Sequence, residues 1–283
     1  MLATTVRWIG KVPMAWMLAA LTGFLAETGR AAEGKLDDKL RVRRLHEAPA
    51  SARGAEGKLD GDRIATSDGD LVVHPINHAT FVMGWKEKTI YADPVGGERG
   101  FDGMPRPDLI LVTDIHGDHL NTATLDAVAG EKTTIVAPAA VAEKLPEKLR
   151  KQTTVLANGE TKSVAGISLE AVPMYNLTAE RLKFHNKGRG NGYVIMLGGK
   201  RVYLSGDTED IPEMRALKNI DVAFVCMNLP FTMTEEQAAS AVREFKPKIV
   251  YPYHYRGSNT EKFKKLVGED SAVEVRLRDW YKP

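Results

Sequence analysis

Residues 113–120 read Thr113-Asp114-Ile115-His116-Gly117-Asp118-His119-Leu120, directly after the apolar run Leu109-Ile110-Leu111-Val112. A segment with the composition of a buried strand therefore runs into two imidazoles and two carboxylates. Charges so close together are costly to bury without compensation. A divalent metal supplies it, because carboxylate and imidazole are both ordinary ligands. A divalent ion held there can lower the pKa of a bound water toward ~7 and stabilise a developing oxyanion.

Other Asp and His residues also close apolar runs. Asp93 follows 89–92, Asp207 follows 201–205 and His254 follows 248–251. Asp or His at four strand ends predicts one shared site at a sheet edge. The elements that must position it read as short strands over 71–73, 80–83, 89–92, 109–113, 134–136, 167–172, 192–197, 201–204, 221–226, 248–251 and 272–277. Gly198-Gly199-Lys200 is a hairpin signal. Helical patterns cover 119–128, 138–149, 235–245 and 260–267, with Thr234 as an N-cap.

The spacing Asp114-x-His116-x-Asp118-His119 resembles the His-x-His-x-Asp-His signature of the metallo-β-lactamase superfamily. Ser205-Gly206-Asp207-Thr208 resembles the segment whose Asp bridges two metals, and Tyr251-Pro252-Tyr253-His254-Tyr255 the segment with the terminal His ligand. Asn77-His78-Ala79-Thr80 and Asp93-Pro94 resemble two earlier family segments. Phe184-His185-x-Lys187-Gly188-Arg189-Gly190-x-Gly192-Tyr193 is similar to the branch around ascorbate-6-phosphate lactonase and the N-acyl-phosphatidylethanolamine phospholipase D-like hydrolases. The resemblance spans about residues 71–256 and implies an α/β fold, the four-layer αββα sandwich, in a domain over 69–283. It further implies two divalent metal ions held by Asp114, His116, Asp118, His119, Asp207 and His254, zinc first, with manganese or iron as alternatives. Asp118 would also orient the nucleophile, His185 and Tyr255 would contact substrate, and His78 and Asp93 would support the ligands. The branch favours a lactone (ester) or phosphodiester substrate.

Two positions depart from the family. Asp114 stands where His is usual; it is a harder ligand and also suits a helix N-cap. Met174-Tyr175-Asn176 lacks a His that many members have, leaving Asn176 or His185 as its replacement. A weakened first-metal site keeps open a mononuclear iron oxygenase of the persulfide dioxygenase kind. A non-enzymatic periplasmic binding protein with a relict site is the other alternative. Lys187 and Arg189 favour a small-molecule, anionic substrate.

A formal charge of +2 on 283 residues argues against a nucleic-acid partner. The single cysteine, Cys226, sits in an apolar run and is expected to be core; His74, before Pro75, is expected to be structural. Arg7 and Lys11, the apolar stretch 12–25 and small residues near Ala31 describe a signal peptide over 1–31. The apolar stretch is shorter than the ~20 residues of a membrane span, so no stable membrane span is expected after cleavage. Cleavage removes three of 39 basic and one of 37 acidic residues and leaves a formal charge of zero. The expected location is periplasmic or secreted. Residues 32–68 are polar, carry Ala-Glu-Gly-Lys-Leu-Asp twice, and are expected to be a flexible arm.

Overall fold

The computed structural model describes residues 59–268 and 272–281. The expected signal peptide, and the arm as far as Lys58, lie outside the described residues. The first half contains β1 (Asp62–Thr66), β2 (Gly69–Asn77), β3 (Thr80–Trp85), β4 (Lys88–Ala92), β5 (Leu109–Leu111), α1 (Thr122–Val128), β6 (Thr134–Ala137), α2 (Ala139–Ala142), α3 (Glu147–Lys151) and β7 (Thr153–Val155). The second contains β8 (Thr161–Val164), β9 (Ile167–Met174), β10 (Gly190–Leu197), β11 (Lys200–Leu204), α4 (Pro212–Arg215), β12 (Val222–Cys226), α5 (Glu235–Phe245), β13 (Ile249–Tyr253), α6 (Thr260–Val267) and β14 (Glu274–Val275).

Each half forms one seven-stranded sheet in simple sequence order. In both, four strands pair antiparallel and the last of them begins a parallel run: β4-β5-β6-β7 in one sheet, β11-β12-β13-β14 in the other. The strand period of two decides the layering. Ile90, Ala92, Leu109 and Leu111 face the core shared with the second sheet. Tyr91, Ile110 and Val112 point the other way, onto Leu125 and Val128 of α1 and onto Val141 and Leu149. Ala238, Ala241, Val242 and Phe245 of α5, with Phe263 of α6, pack on the second sheet. The result is the expected αββα sandwich.

Parallel strands release their C-terminal ends on one edge, where open α/β sheets bind ligands. Asp93, Thr113-Asp114, Ser205-Gly206-Asp207 and His254 leave β4, β5, β11 and β13 there. The loop 112–121 stays irregular until the Asn121 side chain caps α1 by accepting from Thr124 N at 2.9 Å, so the helix starts later than its apolar pattern suggested.

Some sequence expectations need correction. Regular structure is present before residue 69: β1 lies inside the segment expected to be a flexible arm. Ile64 is buried in the core, and the Asp62 carboxylate accepts from Tyr251 Oη at 2.9 Å and Arg278 Nη2 at 2.8 Å. A strand whose polar residues are satisfied by distant partners does not read as a strand locally. The single helix expected over 138–149 is two short ones, α2 and α3, separated at Leu145-Pro146 because Pro lacks the N–H that continues a helix. The strand expected over 272–277 is only two residues long.

Candidate metal centre

Seven side chains from four strand-end loops converge on two adjoining clusters, Asp118/His119/Asp207/His254 and Asp114/His116/His185, each with its ligand atoms within 4.8 Å of one another. Asp207 joins them. Its Oδ2 lies 3.2 Å from His119 Nε2 and 3.3 Å from His185 Nε2, and its Oδ1 3.4 Å from His254 Nε2. Asp118 closes the first cluster, 3.3 Å from His254 Nε2.

Local backbone makes the convergence possible. Gly206 has φ 62, and a Cβ there would meet the Met174 sulfur and Asn191 O, so only glycine turns the chain into the cleft at this point. Three non-glycine residues of the site, His78, Asp93 and His254, also have positive φ (55, 44 and 47). Such conformations persist only where surrounding contacts enforce them. Here His254 N donates to His78 O, and His78 N to Trp280 O, both at 3.2 Å. The turn after β2 in one sheet is thereby tied to the end of β13 in the other. Asn191 N similarly donates to Thr113 O at 3.0 Å, tying the start of β10 to the end of β5.

Each inward ring is held from behind. His119 Nδ1 donates to Asp93 Oδ2 at 2.8 Å, so Nε2 presents its lone pair to the cluster. Asp93 is itself fixed by Thr113 N and Thr113 Oγ1, both at 2.7 Å. His78 Nε2 donates to Asp118 Oδ2 at 3.1 Å and its Nδ1 lies 2.6 Å from Tyr281 Oη. His185 Nδ1 lies 3.2 Å from Phe231 O, which also accepts from Asn176 Nδ2 at 2.7 Å. Glu209 fixes the loop before His185, accepting from Leu177 N and Thr178 N at 2.7 Å and from Arg181 Nη1 at 2.6 Å.

The electrostatics favour a cation. Burial alone would raise the Asp207 carboxyl, but the charges of His254 and His119 and the close approach of the His119 and His185 rings hold it well below its ordinary value. Burial alone would lower the His119 imidazole, yet Asp207 and Asp93 raise it well above its own. Burial also works to raise Asp118, and His254 and His78 overcome it. Burial pushes Asp114 up as well; His116, the charge of His119 and Arg189 bring it below the usual range. His119 Nε2, His185 Nε2 and Asp207 Oδ1 are buried with no hydrogen-bond partner. Unpaired buried groups cost roughly 1–3 kcal/mol each. Lone pairs left unused beside ionised carboxylates are what a divalent ion requires, so these residues fit a metal.

The structure brings together all six residues expected as ligands, Asp114, His116, Asp118, His119, Asp207 and His254, and sets His185 beside them, its Nε2 3.3 Å from Asp207 Oδ2. Of the two residues expected to replace the missing His, His185 faces the cluster, and the Asn176 amide nitrogen lies 3.2 Å from His185 Nδ1. Tyr255 is not brought to the site; its hydroxyl donates to Arg278 O at 2.9 Å and accepts from Trp280 N at 3.2 Å. The two cations expected to hold an anionic substrate are paired elsewhere. Lys187 Nζ reaches Glu213 at 2.8 Å, and Arg189 grips Asp114. Sequence reasoning missed Tyr281, Glu209 and the Arg189–Asp114 pair. Tyr281 lies beyond every motif, and the pair is between residues 75 positions apart. Cys226 is buried core, as expected.

Residues 73–254 match the Beta-lactamase superfamily domain. A UPF0173 metal-dependent hydrolase of Pyrococcus abyssi is 32% identical over 214 residues, covering 71% of this chain and 93% of that protein. One from Thermococcus onnurineus is 34% identical over 217 residues, with the same coverages. A crystal structure from Parabacteroides distasonis, described as that of a metal-dependent hydrolase, is 40% identical with a TM-score of 0.71, covering 78% of this chain and 99% of its own.

Proposed function

Because the chain belongs to the metallo-β-lactamase superfamily and is a metal-dependent hydrolase, we propose that it cleaves a lactone (ester) or a phosphodiester at the paired clusters. The observation that carries this is the position of Asp207, whose carboxylate is shared by both clusters. Two divalent ions, zinc first and manganese or iron next, would be held by Asp118, His119, Asp207 and His254 and by Asp114, His116 and His185. When bound, they supply Lewis-acid polarisation of the substrate oxygen and an acidified water.

The protein's own groups do the rest. Asp118 is the accessible carboxylate, its side chain 42% exposed against 3% for Asp207 and 0% for Asp114. Held ionised by His254 and His78, it is a permanent hydrogen-bond acceptor, suited to orient a water more than to store its proton. His78 fixes Asp118, and Tyr281 fixes His78. Asp93 keeps His119 in the tautomer that offers Nε2. The exposed apolar residues Leu177, Leu182, Leu229 and Phe231 lie on the two loops that brace His185 and favour a carboxylic ester with an apolar arm.

The test is a panel of lactones, nitrophenyl esters and a nitrophenyl phosphodiester, assayed with zinc-loaded and chelator-treated protein. Turnover of at least one class, lost on chelation and in Asp207→Ala, supports the reading. Metal-independent turnover, or turnover that survives in Asp207→Ala, refutes it. The proposed location is periplasmic or secreted, from the signal-like residues 1–31; recovery of the uncleaved full-length chain in the cytoplasm would overturn it.

A further inference from the structure

The two clusters differ in one respect that their shared carboxylate conceals. The ion-pair partners of Asp118 and Asp207 are all histidines. Asp114 is instead gripped through both oxygens by Arg189, Nε to Oδ1 at 3.0 Å and Nη2 to Oδ2 at 2.8 Å. A forked guanidinium–carboxylate pair is among the strongest charge-assisted contacts and is always charged.

Both ring nitrogens of His116 are also engaged in this pair. Its Nδ1 lies 2.8 Å from Asp114 Oδ2 and its Nε2 3.4 Å from Arg189 Nη2. The clamp is built into the fold: the Asn191–Thr113 backbone bond sets residue 189 beside residue 114, and Arg189 Nη2 also donates to Phe184 O. The Arg189 side chain is only 17% exposed, so little water screens its charge.

We infer that Arg189 makes the two halves of the centre unequal. The Asp118/His119/Asp207/His254 cluster takes a divalent ion tightly. The Asp114/His116/His185 cluster takes one weakly, because the guanidinium occupies the lone pairs of Asp114 and repels a second cation. Arg189 is thus a positioning residue that serves as a resident cation where a second metal would otherwise be required. This rests on the metal-dependent reading above and refines its stoichiometry.

The experiment is equilibrium dialysis of the stripped full chain against zinc, with elemental analysis and a competing chromophoric chelator. For the unmodified protein we expect one tight equivalent and a second at least tenfold weaker. Arg189→Met should tighten the second by about 10- to 100-fold, the scale of removing one positive charge from within several ångströms of a bound cation, and leave the first unchanged. His116→Ala should remove only the weak equivalent. Arg189→Gln keeps donors toward Asp114 without the charge and carries the same expectation should Arg189→Met fail to fold. Two equivalents of equal affinity, or a second equivalent unchanged or weakened in both Arg189 variants, would overturn the role of Arg189 while leaving the metal centre intact. No zinc binding in any form would overturn both.

Discussion

The hydroxyl of Tyr281 lies 2.6 Å from Nδ1 of His78, a residue 203 positions earlier in the chain. The Asp118 carboxylate accepts from His78 Nε2, and burial keeps His78 neutral, so Nδ1 is left to accept from the Tyr281 hydroxyl. The Tyr281 hydroxyl thereby holds His78 in the tautomer with its proton on Nε2, which faces Asp118. Tyr281→Phe frees that tautomer. We expect kcat/KM to fall about 10- to 100-fold, as for other groups that orient a metal-site residue, with the far-UV circular dichroism spectrum and metal content unchanged. An unaltered kcat/KM would remove Tyr281 from the site.

Asp93 stands behind His119 as Tyr281 stands behind His78, but deeper. Asp93→Ala leaves three donors, Thr113 N, Thr113 Oγ1 and His119 Nδ1, without their acceptor. At roughly 1–3 kcal/mol for each buried unpaired group, the variant should unfold several kcal/mol more easily. Urea denaturation measures this. Zinc competition should show weaker binding in Asp93→Asn, which keeps the shape but not the charge.

Asp221 carries a separate, acid-sensitive contribution to stability. It accepts from Lys248 Nζ at 2.8 Å and Arg201 N at 2.9 Å. Burial works to raise its carboxyl, and Lys248 and the Arg201 amide bring it below its ordinary 3.8. A carboxyl depressed by folding stabilises fully above its unfolded value and loses that contribution as pH falls through the folded one. Asp221→Asn should therefore cost about 1–2 kcal/mol at pH 7 and progressively less below pH 3.8. A cost independent of pH would mean that packing, not charge, is responsible.

Cys226 should be chemically silent in the native protein. Burial pushes its thiol up to about 12, and its Sγ lies 3.4 Å from Thr208 O. An aromatic disulfide reagent at pH 8 should label it only after denaturation. Rapid labelling of the folded chain would mean that β12 opens readily.

Much of this site is legible locally. Asp114, His116, Asp118 and His119 are adjacent in sequence, and Asp93, Asp207 and His254 each close a run of apolar residues. The αββα layering follows from those runs, since Leu109 to Val112 alternate between two cores. What is not legible depends on pairing across the fold. Arg189 reads as a loop cation until β10 docks on β5 and delivers it to Asp114. Tyr255 reads as a neighbour of a ligand, yet its hydroxyl turns to Arg278 and Trp280. Ile64 is the one large apolar residue in its strand, and its burial against the core is what the local sequence does not announce.

The two sheets share one strand order, and neither holds a complete ligand set. Asp118 and His119 come from the first half, Asp207 and His254 from the second. An ion bound by all four would act as a rivet between halves that otherwise meet through apolar surface and a few hydrogen bonds. Separating them would require releasing the ion, so zinc should slow unfolding as well as raise the melting temperature. Stripped protein should then lose the register between its sheets before it loses either sheet.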